Sequence, residues 1–183
     1  MLLLTGATGS VGSRLLPLLL ERGEDVRCLV RDPRRLGARR VDVQIALGDL
    51  GELADPHTVR QSLRGVDTVV HLAATIRDQP PRRIEELNGL ATVRLLQAAE
   101  RAGVRRFVFF SALDAGAAQR TRFFRAKWVA ERAVEAAPLE TAVFATWEEA
   151  ELMEVAMVSA RGTADAQALG VEPRRMGDVL ASA

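Results

Sequence analysis

The chain opens Met1-Leu2-Leu3-Leu4-Thr5-Gly6-Ala7-Thr8-Gly9-Ser10-Val11-Gly12, and the reading of this stretch decides the fold. An apolar strand over 2–5 runs directly into a glycine-rich turn. A helical pattern of apolar residues follows without a gap, at Val11, Leu15, Leu16, Leu18 and Leu19. Gly6 permits the tight turn off the strand. Gly9 lets the backbone approach a pyrophosphate, and Gly12 lets the helix pack against the strand. Free N–H groups and the dipole at the helix start would then hold the phosphates. Gly6, Thr8, Gly9, Ser10, Val11 and Gly12 are therefore candidate cofactor-binding residues. A purely structural turn could carry the same glycines; the strand–turn–helix context favours the dinucleotide.

Outward from this stretch, strand and helix patterns alternate, which predicts a parallel sheet covered on both faces. Strands are expected at 2–5, 26–30, 41–47, 68–72, 106–110 and 140–145. Helices are expected at 10–22, from Asp55-Pro56 to near Gly65, at 84–102 and at 122–136. Arg31-Asp32-Pro33 and 77–83 read as loops. Right-handed crossovers then give the strand order 3-2-1-4-5-6, an α/β doubly wound parallel sheet, or Rossmann fold. The expected domain is 1–145, with a short helical tail over 146–183 in place of a second domain.

With 183 residues, 48% hydrophobic and 27% charged, the chain can bury a full core and is not of disordered composition. A formal charge of +1 gives no case for nucleic acid or a membrane surface. No apolar run approaches the roughly 20 residues of a membrane span, and Met1–Leu4 lacks the basic flank and length of a signal peptide. A single cysteine, Cys28, excludes an internal disulfide and a cysteine metal cluster, and no metal site is expected. The expected location is cytoplasmic. The chain has no tyrosine, and Lys127 is the only lysine among 25 basic residues. A lone ammonium among arginines is a candidate for a specific role, because the two groups are not equivalent.

The end of the second strand is where such a sheet selects its ribose: an acid pairs with the 2′-hydroxyl of NAD, and an arginine accepts the 2′-phosphate of NADP. Arg31 and Arg35 offer forked donors for a phosphate, while Asp32 could serve NAD; NADP(H) is favoured and NAD(H) is the alternative. A solvated charged loop would look the same. Asp49 in Gly48-Asp49-Leu50 can accept from the adenine amine, with Leu50 beside it, or can cap the next segment. Leu72-Ala73-Ala74 are small enough to let the dinucleotide cross the sheet edge. His71 reads as a buried strand histidine rather than a catalytic one, and His57 as exposed.

Thr5–Gly12, Val30–Pro33, Gly48–Leu50, Val69–Ala74, Asn88-Gly89, Phe110–Leu113 and Phe123–Trp128 occur together in one order. This set resembles the short-chain dehydrogenase/reductase superfamily in its extended and atypical branches, of the NmrA-like type. Within these it is most similar to relatives of the nucleotide-binding accessory subunit of respiratory complex I. The resemblance implies a Tyr-x-x-x-Lys pair on the helix after strand five. The tyrosine of that pair exchanges a proton with substrate, and its lysine bonds the nicotinamide ribose. It also implies a strand-five serine that polarises substrate. Lys127 and Ser111 match as catalytic candidates, but Phe123 stands where the tyrosine belongs, and phenylalanine has no proton to exchange. The family continues after strand six into a substrate domain. Here the strand runs directly into Thr146-Trp147-Glu148-Glu149, which suggests an internal deletion joining the sheet domain to the family's extreme C-terminus.

Three functions are consistent with these residues. The first is a dinucleotide-binding protein with a structural or sensing role and little or no turnover. The second is an NADPH-dependent reductase or epimerase with another proton donor, such as Ser111. The third is an assembly scaffold whose nucleotide site is a relic. A protein partner is compatible with the sequence but is not specified by it.

Overall fold

The computed structural model describes residues 1–52, 56–113 and 115–146. Six strands, β1 (Leu2–Thr5), β2 (Val26–Val30), β3 (Gln44–Leu47), β4 (Thr68–His71), β5 (Arg106–Ala112) and β6 (Glu140–Thr146), form one sheet. All pairings are parallel, in the order β3-β2-β1-β4-β5-β6. This is the expected doubly wound α/β fold. The helices are α1 (Ser10–Glu21), α2 (Pro56–Ser62), α3 (Ala91–Arg101) and α4 (Arg122–Glu135).

Register sorts the strand residues between two cores. Leu3 pairs with Val69, and Val69 with Phe107, each fully buried. This row packs under α2, α3 and α4 through Val59, Leu63, Leu95, Leu96, Ala130 and Val134. The alternate row, Leu4, Cys28 and Val70, packs on the other face under Leu16 of α1 and Leu36. Successive strand side chains point to opposite faces, so continuous apolar runs are what a doubly covered strand requires. Cys28 is fully buried, and burial pushes its thiol up to about 11. It is a core side chain, as expected. Over β5–β6 the cover thins: Phe110 packs at a tilt against Phe144, which is 51% exposed.

Several expected boundaries move. Val41 is not in β3: residues Pro33–Val41 form a 3₁₀ segment, kinked at Gly37. Asp32, read as part of a loop, caps this segment by accepting from Arg34 N at 3.0 Å, with Pro33 as its first residue. Two arginine-rich turns therefore replace the apolar strand start that Val41 suggested. The helix expected over 84–102 is α3 preceded by a π-turn, Glu86–Leu90. Strand β4 stops at His71 and β5 extends to Ala112. The expected cap Asp55, the exposure of His57 and the tail over 147–183 lie outside the described residues or side chains. Among the described residues, no helix is long and apolar enough to cross a membrane.

Candidate functional site

The turn after β1 is built on contact. Gly6 has φ 73°, and a Cβ there would lie 2.6 Å from Ala73 N, so the glycine turn touches the turn after β4. At Gly12 a Cβ would strike the Gly6 carbonyl and lie 2.7 Å from Ala7 Cα. The close approach is thus to the turn itself rather than to the strand. Gly9 differs. Its backbone is extended (φ −86°, ψ 178°), and a Cβ would meet only Gly6 O, at 3.2 Å. Neither conformation nor internal packing demands glycine strictly at position 9, which is solvent-exposed. Helix α1 begins here with no side-chain cap and no acid in its first turn. Its first N–H groups, from Ser10, Val11 and Gly12, are the unsatisfied donors that anions bind. Thr8 borders them, half-buried. An open face at Gly9 beside an uncapped helix start fits a pyrophosphate.

A buried polar chain ties the ends of β1 and β4 to α3. Thr92 Oγ1 donates to Asn88 O at 2.8 Å, so it accepts from His71 Nε2–H at 2.9 Å. His71 Nδ1 then accepts from Thr5 Oγ1–H at 2.7 Å, and Thr5 Oγ1 accepts from Ala73 N–H at 3.3 Å. The ring is completely buried. Burial, with the nearby Lys127 charge, holds its pKa down to about 3. His71 is therefore neutral and structural, as expected. Asn88, in the π-turn, continues the chain: its amide donates to Thr75 O and Ile84 O and accepts from Thr75 N. Sequence reading missed Thr92 as a member of the site, and used Thr5 and Asn88 only within motifs. A single threonine inside a helix such as α3 carries no pattern signal of its own.

Just past β2, Arg31 is exposed and donates to Gln79 Oε1 at 2.9 Å. Arg35 is also exposed. Both Asp32 oxygens are held by Arg34, at 2.9 and 3.1 Å, which keeps the Asp32 carboxyl below the usual range. Asp49 accepts from Gly51 N–H at 2.8 Å and from Arg82 at 3.1 Å. Both its oxygens thus have protein partners, and the capping role read for it is present. Leu50 is half-buried against the core. Leu72 is buried, Ala73 half-buried and Ala74 exposed.

On β5 and α4 lie Ser111, Lys127 and Phe123, at 0, 1 and 4% exposure. Lys127 Nζ donates to Phe110 O at 2.6 Å and sits 4.9 Å over the Phe109 ring and 5.7 Å from that of Phe123. Its ammonium is turned into the protein. Ser111 Oγ is buried without a hydrogen-bond partner, the kind of group that calls for an explanation. Among the described residues, no group of His, Cys, Asp and Glu could hold a metal ion.

The family described as NAD(P)H-binding matches residues 6–143. Sterol demethylase protein B of Methylococcus capsulatus is 39% identical over 62% of this chain and 34% of its own length. Photosystem II assembly factor Ycf39 of Guillardia theta is 34% identical over 62% of this chain and 35% of its own. A 3-beta-hydroxysteroid dehydrogenase of Mycolicibacterium neoaurum is 33% identical over 58% and 30%. The chain thus spans about a third of the length of these curated relatives. Among solved structures, a short-chain dehydrogenase/reductase superfamily protein from Agrobacterium tumefaciens with bound NAD superposes with TM-score 0.66. It is 27% identical, over 78% of this chain and 48% of that one. A dTDP-glucose 4,6-dehydratase from Streptomyces venezuelae, 22% identical with TM-score 0.64, covers 78% of this chain and 55% of that one, and shares the fold.

Proposed function

Because the chain belongs to the NAD(P)H-binding family, we propose that it holds NADP(H) in a structural or sensing role, with little or no turnover. The observation that carries this reading is Phe123, buried at 4% exposure four residues before Lys127, in a chain with no tyrosine. The active-site proton donor implied by the resemblance is lacking there. The N–H groups at the start of α1 would hold the pyrophosphate, with Gly9 leaving room for it. Leu72, Ala73 and Ala74 would underlie the chain of the cofactor. Bound, the dinucleotide supplies a hydride donor or acceptor. Lys127 would have to leave Phe110 O to reach the ribose.

NADP is preferred over NAD because Asp32, the acid that would accept the ribose hydroxyl, is held by Arg34, while Arg31 and Arg35 remain exposed. Asp49 would meet the adenine amine with the lone pairs that Gly51 N–H and Arg82 leave on its two oxygens. A cytoplasmic location accords with the composition, and a protein partner accords with the relative named as an assembly factor. A second reading, a reductase or epimerase, is favoured by one observation: the unpartnered Ser111 Oγ close in sequence to Phe110, the carbonyl partner of Lys127.

Calorimetric titration with NADPH and NADH tests the proposal. A charged contact to the 2′-phosphate is worth roughly 1.5–3 kcal/mol, about ten- to a hundredfold in affinity. Arg31→Ala should remove that margin. Equal affinity for the two cofactors, or unchanged NADPH affinity in Arg31→Ala, would overturn the NADP assignment.

A further inference from the structure

Residues 75–84, which include the 77–83 stretch read from sequence as a loop, form a small strap with four anchors. Gln79 and Arg82 are an antiparallel bridge pair, with N···O distances of 3.0 and 2.8 Å. Residues directly opposite in such a pair project their side chains to one face. On that face Gln79 reaches Arg31, just past β2, and Arg82 reaches Asp49, just past β3. Val30 and Leu47, which end these strands, are register partners, so the strap crosses the carboxyl ends of two adjacent strands. The Arg82 side chain lies on Gly51, where a Cβ would come within 2.5 Å of its Nε. Behind it, Asp78 pairs with Arg122 at 3.0 Å, and Thr75 is fixed by Asn88.

Two arginines in the 31–35 turn are treated oppositely. Arg34 is neutralised by the Asp32 carboxylate. Arg31 meets only a neutral amide, and among the described residues no carboxylate pairs with it. That amide is itself fixed at both ends, because Gln79 Nε2 donates to Thr75 Oγ1 at 3.2 Å. An amide oxygen restrains a guanidinium without cancelling its charge, and it occupies one of five donors. The remaining donors keep both the fork geometry and the field that a phosphate dianion needs.

We propose that Gln79 is a specificity-determining positioning residue: it holds Arg31 ready for the 2′-phosphate while leaving its charge uncompensated. This rests on the NADP(H) reading above and adds to it the strap as the element that sets cofactor choice. Pre-ordering a long side chain reduces what is lost on binding.

The test is titration of the full chain and two variants with NADPH and NADH. Gln79→Glu keeps the shape but neutralises Arg31, so the NADPH-to-NADH affinity ratio should fall about tenfold while NADH affinity stays near wild type. Gln79→Leu keeps the charge but loses the restraint, and should lower the ratio less, about threefold. Raising the salt should narrow the gap between wild type and Gln79→Glu, which a purely steric defect would not do. A wild type that prefers NADPH together with an unchanged ratio in Gln79→Glu would overturn the role of Gln79 and leave the proposed function standing. A wild type that binds both cofactors equally, or neither, would overturn both.

Discussion

At one end of the candidate site, helix α1 starts with no side-chain cap and no acid in its first turn, and Gly9 is open to solvent. At the other end, Ser111, Lys127 and Phe123 are buried, and the lysine bonds a backbone carbonyl. One end of a single sheet edge presents donors outward, and the other has turned its one ammonium inward. Binding machinery and reaction machinery are separable in such a fold, because they sit on different strands and helices. Here the proposed phosphate-binding residues lie at β1 and α1, and the candidates Ser111 and Lys127 on β5 and α4.

The comparison breaks most visibly if the inward end proves reactive. General acid–base catalysis contributes typically 10²–10⁴-fold, and Phe123 supplies none. No efficient hydride transfer from NADPH to aldehydes, ketones or quinones is expected. Phe123→Tyr should rescue little, because the added hydroxyl alone does not orient a substrate. An absorbance screen that found turnover in the ordinary range of roughly 1–10³ s⁻¹ for the unmodified protein would end the non-catalytic reading.

The next effect belongs to the outward end. Gly9→Val should lower dinucleotide affinity about a hundredfold or more, by placing a side chain where the pyrophosphate would lie. The melting temperature should change little, since a Cβ at Gly9 meets only Gly6 O, at 3.2 Å. Gly6→Ala is the contrast. At φ 73° and 2.6 Å from Ala73 N it should lower the melting temperature as well. A Gly9→Val protein that titrates like wild type would reduce the loop to a turn.

The smallest effect concerns the polar chain that ties β1 and β4 to α3. His71 is held to about 3 in the folded state, against an ordinary value of 6.5. Its folded pKa lies below its unfolded one, so the unfolded chain takes up the proton first as pH falls. The full contribution is present above about pH 6.5 and declines as pH drops toward 3. At pH 5 the loss is about 2 kcal/mol, at 1.36 kcal/mol per unit for one proton. Denaturant melts at pH 7.5 and 5 should show it, with the stability of His71→Gln lower throughout but flatter over that range. A wild type equally stable at both values would contradict a neutral buried ring.

Most of the fold was legible in the residues. Apolar runs at Leu2–Leu4 and Val69–Val70, bounded by turn residues, fit strands covered on both faces, and the Gly6–Gly12 spacing announced the turn. Asp32 was legible as an acid beside arginines, but not as a cap. Its choice of Arg34 N–H depends on the 3₁₀ segment that Pro33 begins. The strap was hidden because Gln79 and Arg82 reach partners 48 and 33 residues away. No short-range period records such a contact.

The sequence by itself determined the order of strands and the glycine turn, because these follow from local periodicity and residue identity, and the resemblance of its motifs pointed to the family and to the phenylalanine where that family has tyrosine. Only the tertiary structure decided which polar groups are satisfied. It turned Lys127 onto Phe110 O, enclosed His71 between Thr5 and Thr92, gave Asp49 to Arg82, and set a neutral amide beside Arg31. Hydrogen bonds act over about 3 Å, and which groups come that close is fixed by how the strand ends and their connecting turns are brought together.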